Sequence, residues 1–365
     1  MALPAHAQAA VDAAPDTTSV YVFDLRQVPR LMAEWKAAFP RIRPFFAVKC
    51  NSDDRLVRAL HAEGVGYDCA SPSEIAMVTA LGAPPTDVLY ANPIKVESDI
   101  RAATAMGITQ MSFDSVDELH KIKAHATGPV SLLLRLKCGD DNALLRMGDK
   151  FGADASDWPV LLAEARALEL PVDGICFHLG SGCMNPTAYS NAIEQAANCI
   201  ALAATYGFAV STLNIGGGFA SPLNPAVVAA INDTIALKVA PTLRVIAEPG
   251  RFFAETVCTL YSRVIGKRVR THVHDYFIHE SIHGSFFFAP FGKLNPVAGD
   301  GATFASNVYG DTCHGGDIIS KNIQLPEHAV GDWFEFRRMG AYTHVFATTF
   351  NGMDFANCLT KVYLE

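Results

Sequence analysis

Residues 44–51 read PFFAVKCN, and this run of aromatic and aliphatic residues predicts a buried strand with Lys49 at its far end. An ammonium group on a strand that otherwise faces a core is costly unless it is paired, neutral or covalently used. In an isolated run of this length, a lysine whose charged end reaches water is the ordinary explanation. The rest of the chain supplies the parts that favour a covalent role.

Strand-like and helix-like runs alternate along the chain around residues 44–51, over roughly 210 residues in all. The other predicted strands are 66–69, 88–90, 110–113, 130–136, 174–178, 212–215 and 243–247. The predicted helices are 25–39, 56–62, 73–80, 98–105, 116–124, 158–167, 188–206 and 225–239. Eight strands separated by helices predict an α/β fold of the (β/α)8 TIM barrel type rather than an open sheet.

Polar or glycine residues follow the predicted strands at the points where they end. They are Lys49, Asp68, Asn92, Asp114, Arg135, His178, Gly216 and Glu248. One polar strand end is common and means little. Because the carboxyl ends of all eight barrel strands meet on one face, where such barrels carry their active sites, eight together predict a site.

The pattern changes after Arg251, where residues 257–269, 333–336 and 341–349 resemble strands without long helices between them. These runs predict a C-terminal all-β domain that also recruits a strand at residues 19–23. We therefore assign residues 25–257 to the barrel and residues 1–24 and 258–365 to the β domain. The alanine-rich residues 1–16 are expected to form a frayed arm.

Composition excludes several classes of function. The chain has 365 residues and a formal net charge of −8, which argues against a nucleic-acid partner. Nine scattered cysteines indicate reduced thiols in the cytoplasm rather than a disulfide framework or a metal site. The N-terminus lacks the features of a secretory signal, and no apolar run approaches ~18 residues, so no membrane span is predicted.

Three further segments suit an anionic ligand. Residues 214–219 (NIGGGF) and 178–182 (HLGSG) offer backbone N–H groups, and residues 248–251 (EPGR) add a carboxylate and a guanidinium. Each has an ordinary structural explanation: a tight turn, a satisfied core histidine or an ion pair. Together with Lys49 they match pyridoxal 5′-phosphate, whose aldehyde needs a lysine, whose phosphate needs donors and whose ring nitrogen needs a carboxylate.

The motifs as a set resemble the eukaryotic-type ornithine decarboxylases, fold type III enzymes that join an alanine-racemase-like barrel to a β domain. The resemblance spans nearly the whole chain in the family's order. It rests on PFFAVKCN, YDCASPSEI (67–75), YANPIK (90–95), SFDSVDEL (112–119), FHLGSGC (177–183), NIGGGF, AEPGR (247–251), GDTC (310–313), GDWFEF (331–336) and MGAYTHVFATTFNG (339–352).

The resemblance implies a role for each matched residue. Lys49 would bind the cofactor's aldehyde covalently, His178 would stack on its ring and Glu248 would pair with the ring nitrogen. The phosphate would be held by Ser181, Gly217, Gly218, Gly250, Arg251 and Tyr342, with Asp68, Glu74 and Arg135 in support. Cys313, reaching over from the partner subunit of a homodimer with shared active sites, would protonate the substrate's α-carbon after CO2 leaves.

The predicted substrate-binding residues are Glu280, His314 and Phe350, and two of them depart from the family's pattern. Residues 279–286 read HESIHGSF where the family reads roughly NDGVYGSF, and residues 313–315 read CHG where it reads CDG. Glu280 and His314 would then stand where two aspartates grip the substrate's distal amine. Either the loops have drifted or the specificity has changed, and Asp275 could replace the lost carboxylate if the loop is inserted.

Several functions stay open at this point. The favoured one is decarboxylation of ornithine or lysine to a diamine and CO2, as in polyamine metabolism; a different amino acid is the alternative. A racemase is disfavoured because it needs a second base where the resemblance gives Cys313. A non-catalytic regulator of the antizyme-inhibitor type is disfavoured because Lys49, His178, Glu248, Arg251 and Cys313 are all present.

Overall fold

A closed barrel of eight parallel strands lies within residues 29–253 of the computed structural model, and a mixed sheet lies in the remainder of the chain. The structure describes residues 3–14, 17–139, 148–288, 295–297, 300–355 and 359–365. Its two units are Pro29–Phe253, and Met1–Val28 together with Ala254–Glu365. The structure thus divides the chain after residues 28 and 253, whereas the sequence placed the divisions after residues 24 and 257.

The N-terminal elements are α1 (Ala5–Ala13), β1 (Ser19–Asp24) and α2 (Gln27–Ala38). The expected frayed arm is wrong for α1, because Ala7 is fully buried in a cluster with Val20, Val22, Tyr261 and Trp333. Ala7 and Val11 lie four residues apart on one apolar face of α1, and Leu3, just before the helix, packs against the same cluster. Residues 1, 2, 15 and 16 of the arm lie outside the described residues.

The barrel strands pair in chain order, and the first of them closes the barrel against the last. They are β2 (Ile42–Ala47), β3 (Gly66–Cys69), β4 (Val88–Tyr90), β5 (Gln110–Phe113), β6 (Ser131–Arg135), β7 (Val172–Cys176), β8 (Thr212–Asn214) and β9 (Arg244–Ala247). The predicted (β/α)8 barrel is therefore confirmed. Its interior is filled by side chains, among them Phe45, Leu89, Leu133 and Ile246.

Helices connect the barrel strands. They are α3 (Asp54–Ala62), α4 (Pro72–Ala80), α5 (Glu97–Ala105), α6 (Val116–His125), α7 (Trp158–Ala167), α8 (Pro186–Thr205) and α9 (Pro225–Lys238). Several begin at side chains that accept hydrogen bonds from the first turn: Asp53 caps α3, and Ser71 and Ser115 cap α4 and α6. Such caps start these helices within a few residues of a strand end and keep the intervening loops short.

The short helix α10 (Arg251–Ala254) precedes the β unit, whose strands are β10 (Cys258–Arg270), β11 (Val273–Ile278), β12 (Thr303–Tyr309), β13 (Ile318–Pro326), β14 (Trp333–Phe336) and β15 (Thr360–Leu364). The sheet order is β13-β12-β11-β10-β1-β15, with β14 also paired to β10. The all-β prediction and the recruitment of β1 are confirmed. Among the described residues, no helix is long and apolar enough to cross a membrane.

The strand predicted at residues 341–349 is wrong. Tyr342 has a φ of 56°, Thr343 has φ −114° and ψ −102°, and a short 3₁₀ helix spans His344–Phe346. Residues in these conformations cannot continue an extended ladder. Four strands, β11, β12, β13 and β15, were not predicted, and their mixed polar and apolar residues explain why.

Candidate active site

Lys49 lies just beyond the end of β2, and its ammonium is paired with a carboxylate. The predicted strand stops at Ala47, and Val48–Cys50 form a 3₁₀ turn, so Lys49 does not lie on the strand itself. Its Nζ forms an ion pair with Oδ2 of Asp68, the residue paired with Ala47 across the β2–β3 ladder. The Lys49 side chain is 35% exposed whereas Asp68 is 1% exposed, so the lysine remains accessible to a ligand.

The second carboxylate oxygen of Asp68 has no hydrogen-bond donor among the described residues. This oxygen, Oδ1, is buried. A buried carboxylate oxygen without a donor is unfavourable, and it is a common feature of sites completed by a ligand.

Glu248 follows β9 and is buried, with Asn214 beside it. Asn214 Nδ2 donates to Glu248 Oε1 over 2.6 Å. Burial raises the pKa of Glu248 to about 7; the Asp68 charge adds to this rise, while Lys49 and the Asn214 hydrogen bond oppose it. A cation placed against Glu248 would favour its ionised form.

His178 follows β7 as a neutral, half-buried imidazole. Its Nδ1 accepts a hydrogen bond of 2.9 Å from the Gly180 N–H, so that nitrogen is unprotonated. Desolvation and the positive charges of Arg135 and Lys49 lower the pKa of His178 to about 3. An uncharged ring in this position can pack flat against another aromatic ring.

The glycine loop after β8 comes so close to these residues that side chains are excluded. A Cβ at Gly217 would lie 2.7 Å from His178 Nε2, and a Cβ at Gly218, whose φ is 106°, would lie 2.6 Å from the Tyr189 hydroxyl. Tyr189 donates to the Gly217 carbonyl over 3.0 Å and fixes the loop. Backbone N–H groups in such a loop can approach an anion closely.

Two loops beside the glycine loop carry the remaining predicted anion-binding residues. Arg251 Nη2 donates to Ser181 Oγ over 3.4 Å, which joins the loops after β7 and β9. A Cβ at Gly250 would lie 2.8 Å from Cys50 Cβ, so Gly250 lets the loop after β9 pack against the Lys49 turn. Glu74 supports the loop after β3 by accepting a 2.6 Å hydrogen bond from the Ala70 N–H.

These barrel residues surround a cavity of about 500 Å³, within the usual size range of small-molecule sites. Lys49, Arg135, His178 and Glu248 all line it. The Arg135 guanidinium lies 4.7 Å from the centre of the Phe151 ring. Asn92, another strand-end residue named from the sequence, also lines it; the cavity residues not selected from the sequence are Ala70, Ala91, Pro93, Ile94, Lys150 and Phe151.

In the β unit, a separate cluster contains the predicted Cys313, His314 and Phe350. The Cys313 residue is exposed, and its backbone N–H donates to Asn351 Oδ1 over 2.9 Å. His314 Nδ1 and His283 Nε2 share a hydrogen bond of 3.0 Å. The His283 ring also stacks on Phe350, with 4.1 Å between ring centres. His283 and Asn351 were not selected from the sequence.

Tyr342 lies on another segment of the β unit. Its φ of 56° is uncommon for a bulky residue and costs backbone energy that is usually tolerated at functional positions. Its ring lies near Phe288 and Phe346.

Glu280, a predicted substrate-binding residue, is buried within the β unit. Its side chain is 1% exposed, and its carboxylate accepts hydrogen bonds from Ser281 N, Ser285 N and Ser285 Oγ. Since these donors belong to its own loop, the carboxylate stabilises that loop. Asp275, which could have replaced the carboxylate lost at position 314, is instead buried and bound to Arg268 and Asn307.

Comparison with protein families gives a match over residues 25–255 to the pyridoxal binding domain of pyridoxal-dependent decarboxylases. The chain belongs to this family. It is an enzyme of the decarboxylase class, and its cofactor is pyridoxal phosphate.

Individual relatives of this decarboxylase span nearly its whole length. A chloroplastic ornithine decarboxylase of Nicotiana glauca is 41% identical, covering 94% of this chain and 83% of the relative. The arginine decarboxylase of Paramecium bursaria Chlorella virus is 38% identical, with a TM-score of 0.92 and 98% of both chains covered. The lysine/ornithine decarboxylase of Vibrio vulnificus, complexed with putrescine, is 30% identical with a TM-score of 0.88, covering 98% and 97% of the two chains.

The barrel of the decarboxylase fits pyridoxal phosphate on three observations. An accessible lysine lies beside the orphaned Asp68 oxygen, which can accept a hydrogen bond. A buried carboxylate, Glu248, is available for the ring nitrogen. The loop at Gly217 and Gly218 leaves no room for a Cβ, so its backbone lies close to His178. Asn214 and Tyr189 support this arrangement through their hydrogen bonds to Glu248 and Gly217. The sequence analysis did not select either residue, although Asn214 lies within one quoted motif and Tyr189 follows another.

Proposed function

We propose that this decarboxylase acts on a basic L-amino acid of the ornithine type, releasing CO2 and a diamine. The observation that carries the proposal is the cavity lined by Lys49, His178 and Glu248, with Asp68 paired to Lys49. The substrate class is drawn from the relatives, which are named ornithine, lysine/ornithine and arginine decarboxylases.

The barrel residues bind and orient the cofactor in this proposal. Pyridoxal phosphate, when bound, supplies an electron-withdrawing ring that stabilises negative charge on the substrate's α-carbon. Lys49 holds its aldehyde carbon, with Asp68 beside the nitrogen. Glu248, fixed by Asn214, holds a proton on the ring nitrogen, and neutral His178 packs on the ring face. Ser181, Gly217, Gly218, Gly250 and Arg251 supply donors or close backbone approach for the phosphate.

Cys313 serves as the proton donor. Its thiol gives a proton to the α-carbon after CO2 has left: the S–H bond breaks, a C–H bond forms and the resulting thiolate takes a proton from water. His314 and Phe350 line the substrate's distal end. Glu280 remains a proposed member of this set, and hydrogen bonds from Ser285 orient its carboxylate.

We further propose a homodimer in which Cys313 enters the barrel site of a second copy. Three exposed aromatic residues on the β unit, Phe287, Phe346 and Phe350, support an interface there. Mixing inactive Lys49→Ala and Cys313→Ala proteins tests this: random exchange should restore roughly a quarter of wild-type activity, since half the dimers then carry one intact site of two. No recovery after verified subunit exchange would contradict shared sites.

Arginine is the second candidate substrate. The viral arginine decarboxylase covers 98% of both chains at 38% identity, and His314 removes one expected ammonium-binding carboxylate. The deciding experiment is a CO2-release assay of the pyridoxal phosphate-loaded enzyme with ornithine, lysine, arginine and uncharged amino acids. Ornithine or lysine should give the highest kcat/KM. If arginine gives the highest kcat/KM, it replaces ornithine as the proposed substrate. If no amino acid releases CO2, the proposed decarboxylase activity is contradicted.

A cytoplasmic location is also proposed. The nine cysteines are scattered along the sequence without paired spacing, which supports a reducing compartment. The Nicotiana relative is named as chloroplastic, so expression of a fluorescent fusion in the source cell is the appropriate test.

A further inference from the structure

Asn351 holds the backbone of Cys313 from one side. Its Oδ1 accepts a hydrogen bond from the Cys313 N–H over 2.9 Å. Asn351 itself adopts a left-handed conformation, with φ 58° and ψ 14°, which disfavours most residues other than glycine and asparagine. The position therefore combines two demands, a left-handed backbone and a side-chain acceptor, and asparagine meets both.

The turn that carries Asn351 is anchored independently of Cys313. Gly352 N donates to Thr349 O over 3.0 Å, and Met353 N donates to Phe350 O over 3.1 Å. The ring of Phe350 stacks on His283, 4.1 Å between centres, and Thr348 N donates to His283 O over 2.8 Å. The acceptor oxygen thus projects from a fixed point.

Asp317 holds the preceding residue, Thr312. Its Oδ2 accepts hydrogen bonds from the Thr312 N–H and the Thr312 hydroxyl, and its Oδ1 accepts one from Ile282 N over 2.9 Å. Asp317 is 3% exposed, so these bonds are formed away from water. Consecutive residues, Thr312 and Cys313, are therefore fixed by two different segments, while Cys313 remains exposed.

We infer that Asn351 is a positioning residue that sets the direction from which the Cys313 thiol delivers its proton. The inference rests on the proposed role of Cys313 as proton donor. Proton transfer requires the donor within hydrogen-bond reach of the α-carbon, and small misplacements of reacting groups lower rates strongly. A proton that reaches the cofactor instead of the α-carbon ends, after hydrolysis by water, as an aldehyde product and pyridoxamine phosphate.

The test compares Asn351→Gly, which retains the left-handed turn but removes the acceptor, with Asn351→Asp, which retains both. In the loaded enzyme, Asn351→Gly should lower kcat up to about tenfold and raise the aldehyde-to-amine ratio. Asn351→Asp should restore that ratio toward the wild-type value. In the cofactor-free protein, iodoacetamide should alkylate Cys313 faster in Asn351→Gly than in wild type, as read by peptide mass spectrometry.

Cys313→Ala separates this inference from the proposed function. If Cys313→Ala raises the aldehyde-to-amine ratio while Asn351→Gly matches wild type in both ratio and alkylation rate, the positioning role is wrong and the donor role stands. If Cys313→Ala leaves the ratio unchanged, Cys313 is removed from the reaction and Asn351 with it. An unchanged melting temperature in Asn351→Gly, expected because glycine accepts a positive φ, excludes unfolding as the cause.

Discussion

Asn214 fixes the carboxylate of Glu248 through a hydrogen bond of 2.6 Å from Nδ2 to Oε1. The Asn214 oxygen accepts a bond of 2.9 Å from the Gly216 N–H, so its NH2 group must be the one that faces Glu248. Because this bond favours the ionised carboxylate, it opposes the burial that raises the pKa of Glu248 to about 7. The side chain of Asn214 thus links the glycine loop to Glu248, the residue proposed to pair with the ring nitrogen of the cofactor.

Asn214→Ala should raise the pKa of Glu248 further, since the bond that lowers it is lost. We expect the acidic limb of the kcat/KM profile to move to higher pH, and kcat/KM at pH 7 to fall about tenfold, as for loss of a hydrogen bond to a charged group. Asn92→Ala is the matched control, because this asparagine lines the same cavity but its Oδ1 accepts from Ile94 N. An unshifted acidic limb in Asn214→Ala would contradict the prediction.

Lys49→Ala should abolish both the absorbance of covalently bound cofactor and CO2 release, while the melting temperature of the cofactor-free protein stays close to wild type. Lys49→Arg keeps a positive charge beside Asp68 but cannot form the covalent bond, so it should lose the same absorbance. Titration with pyridoxal phosphate, followed by absorbance, measures both variants. Wild-type absorbance in either protein would remove Lys49 from its assigned role.

The barrel could be predicted from the sequence because each strand and helix carries its own signal. Strands such as β6 (SLLLR) are apolar runs, and caps such as Ser115 mark the helix starts. Polar residues at the strand ends then had to meet on one face, which is why Lys49, Arg135, His178 and Glu248 were correctly expected to lie together.

The β unit was harder to predict because its features depend on contacts between distant segments. Residues 341–349 look like a strand, yet Tyr342 takes a positive φ that residue type alone does not predict. The hydrogen bond from the Ser285 hydroxyl to the Glu280 carboxylate likewise has no signal in the sequence. Asn351 lies 38 residues from Cys313 in the chain, so only the folded structure brings the two together.

Lys95 and Glu118 form an ion pair of 2.8 Å in which both side chains are almost fully buried. Lys95 also donates to the Asn92 and Ser112 carbonyls, which holds the loop that lines the cavity. Lys95→Met should destabilise the protein by about 1–3 kcal/mol, because Glu118 loses one of its two lysine partners and keeps Lys121 at 2.6 Å. Lys95→Met/Glu118→Gln should be less destabilised than the sum of the single variants, as measured by urea unfolding. Additive losses would contradict a coupled pair.

Glu280 should make stability depend on pH. Burial raises the pKa of Glu280 from 4.5 to about 7 in the folded protein. Below pH 4.5 Glu280 is protonated in both the folded and the unfolded protein, and its contribution to the free energy of unfolding is present in full. Between pH 4.5 and about 7 only the unfolded chain loses this proton, so the free energy of unfolding falls. Between pH 4.5 and about 7 the free energy of unfolding of Glu280→Gln should rise by about 3 kcal/mol relative to that of wild type. Urea unfolding at each pH measures this, and Glu97→Gln, at an exposed glutamate, is the control.

His314 and His283 share one hydrogen bond of 3.0 Å, so one ring nitrogen donates and the other accepts. If His314 lines the distal end of the substrate, an imidazole there can accept one bond from an ammonium, whereas an imidazolium repels it. His314→Asp introduces a carboxylate at this position and should favour cationic substrates at all pH values where the carboxylate is ionised.

A charge-assisted hydrogen bond contributes roughly 1.5–3 kcal/mol. The ratio of kcat/KM for ornithine to kcat/KM for an uncharged amino acid should therefore rise at least about tenfold in His314→Asp. His283→Phe is the control, since a phenyl ring can keep the stacking on Phe350 but cannot bond to residue 314. That variant should change the ratio less. If wild type already prefers ornithine strongly and His314→Asp lowers the preference, then His314 is part of a pocket already matched to the ammonium, and the inference of altered specificity fails.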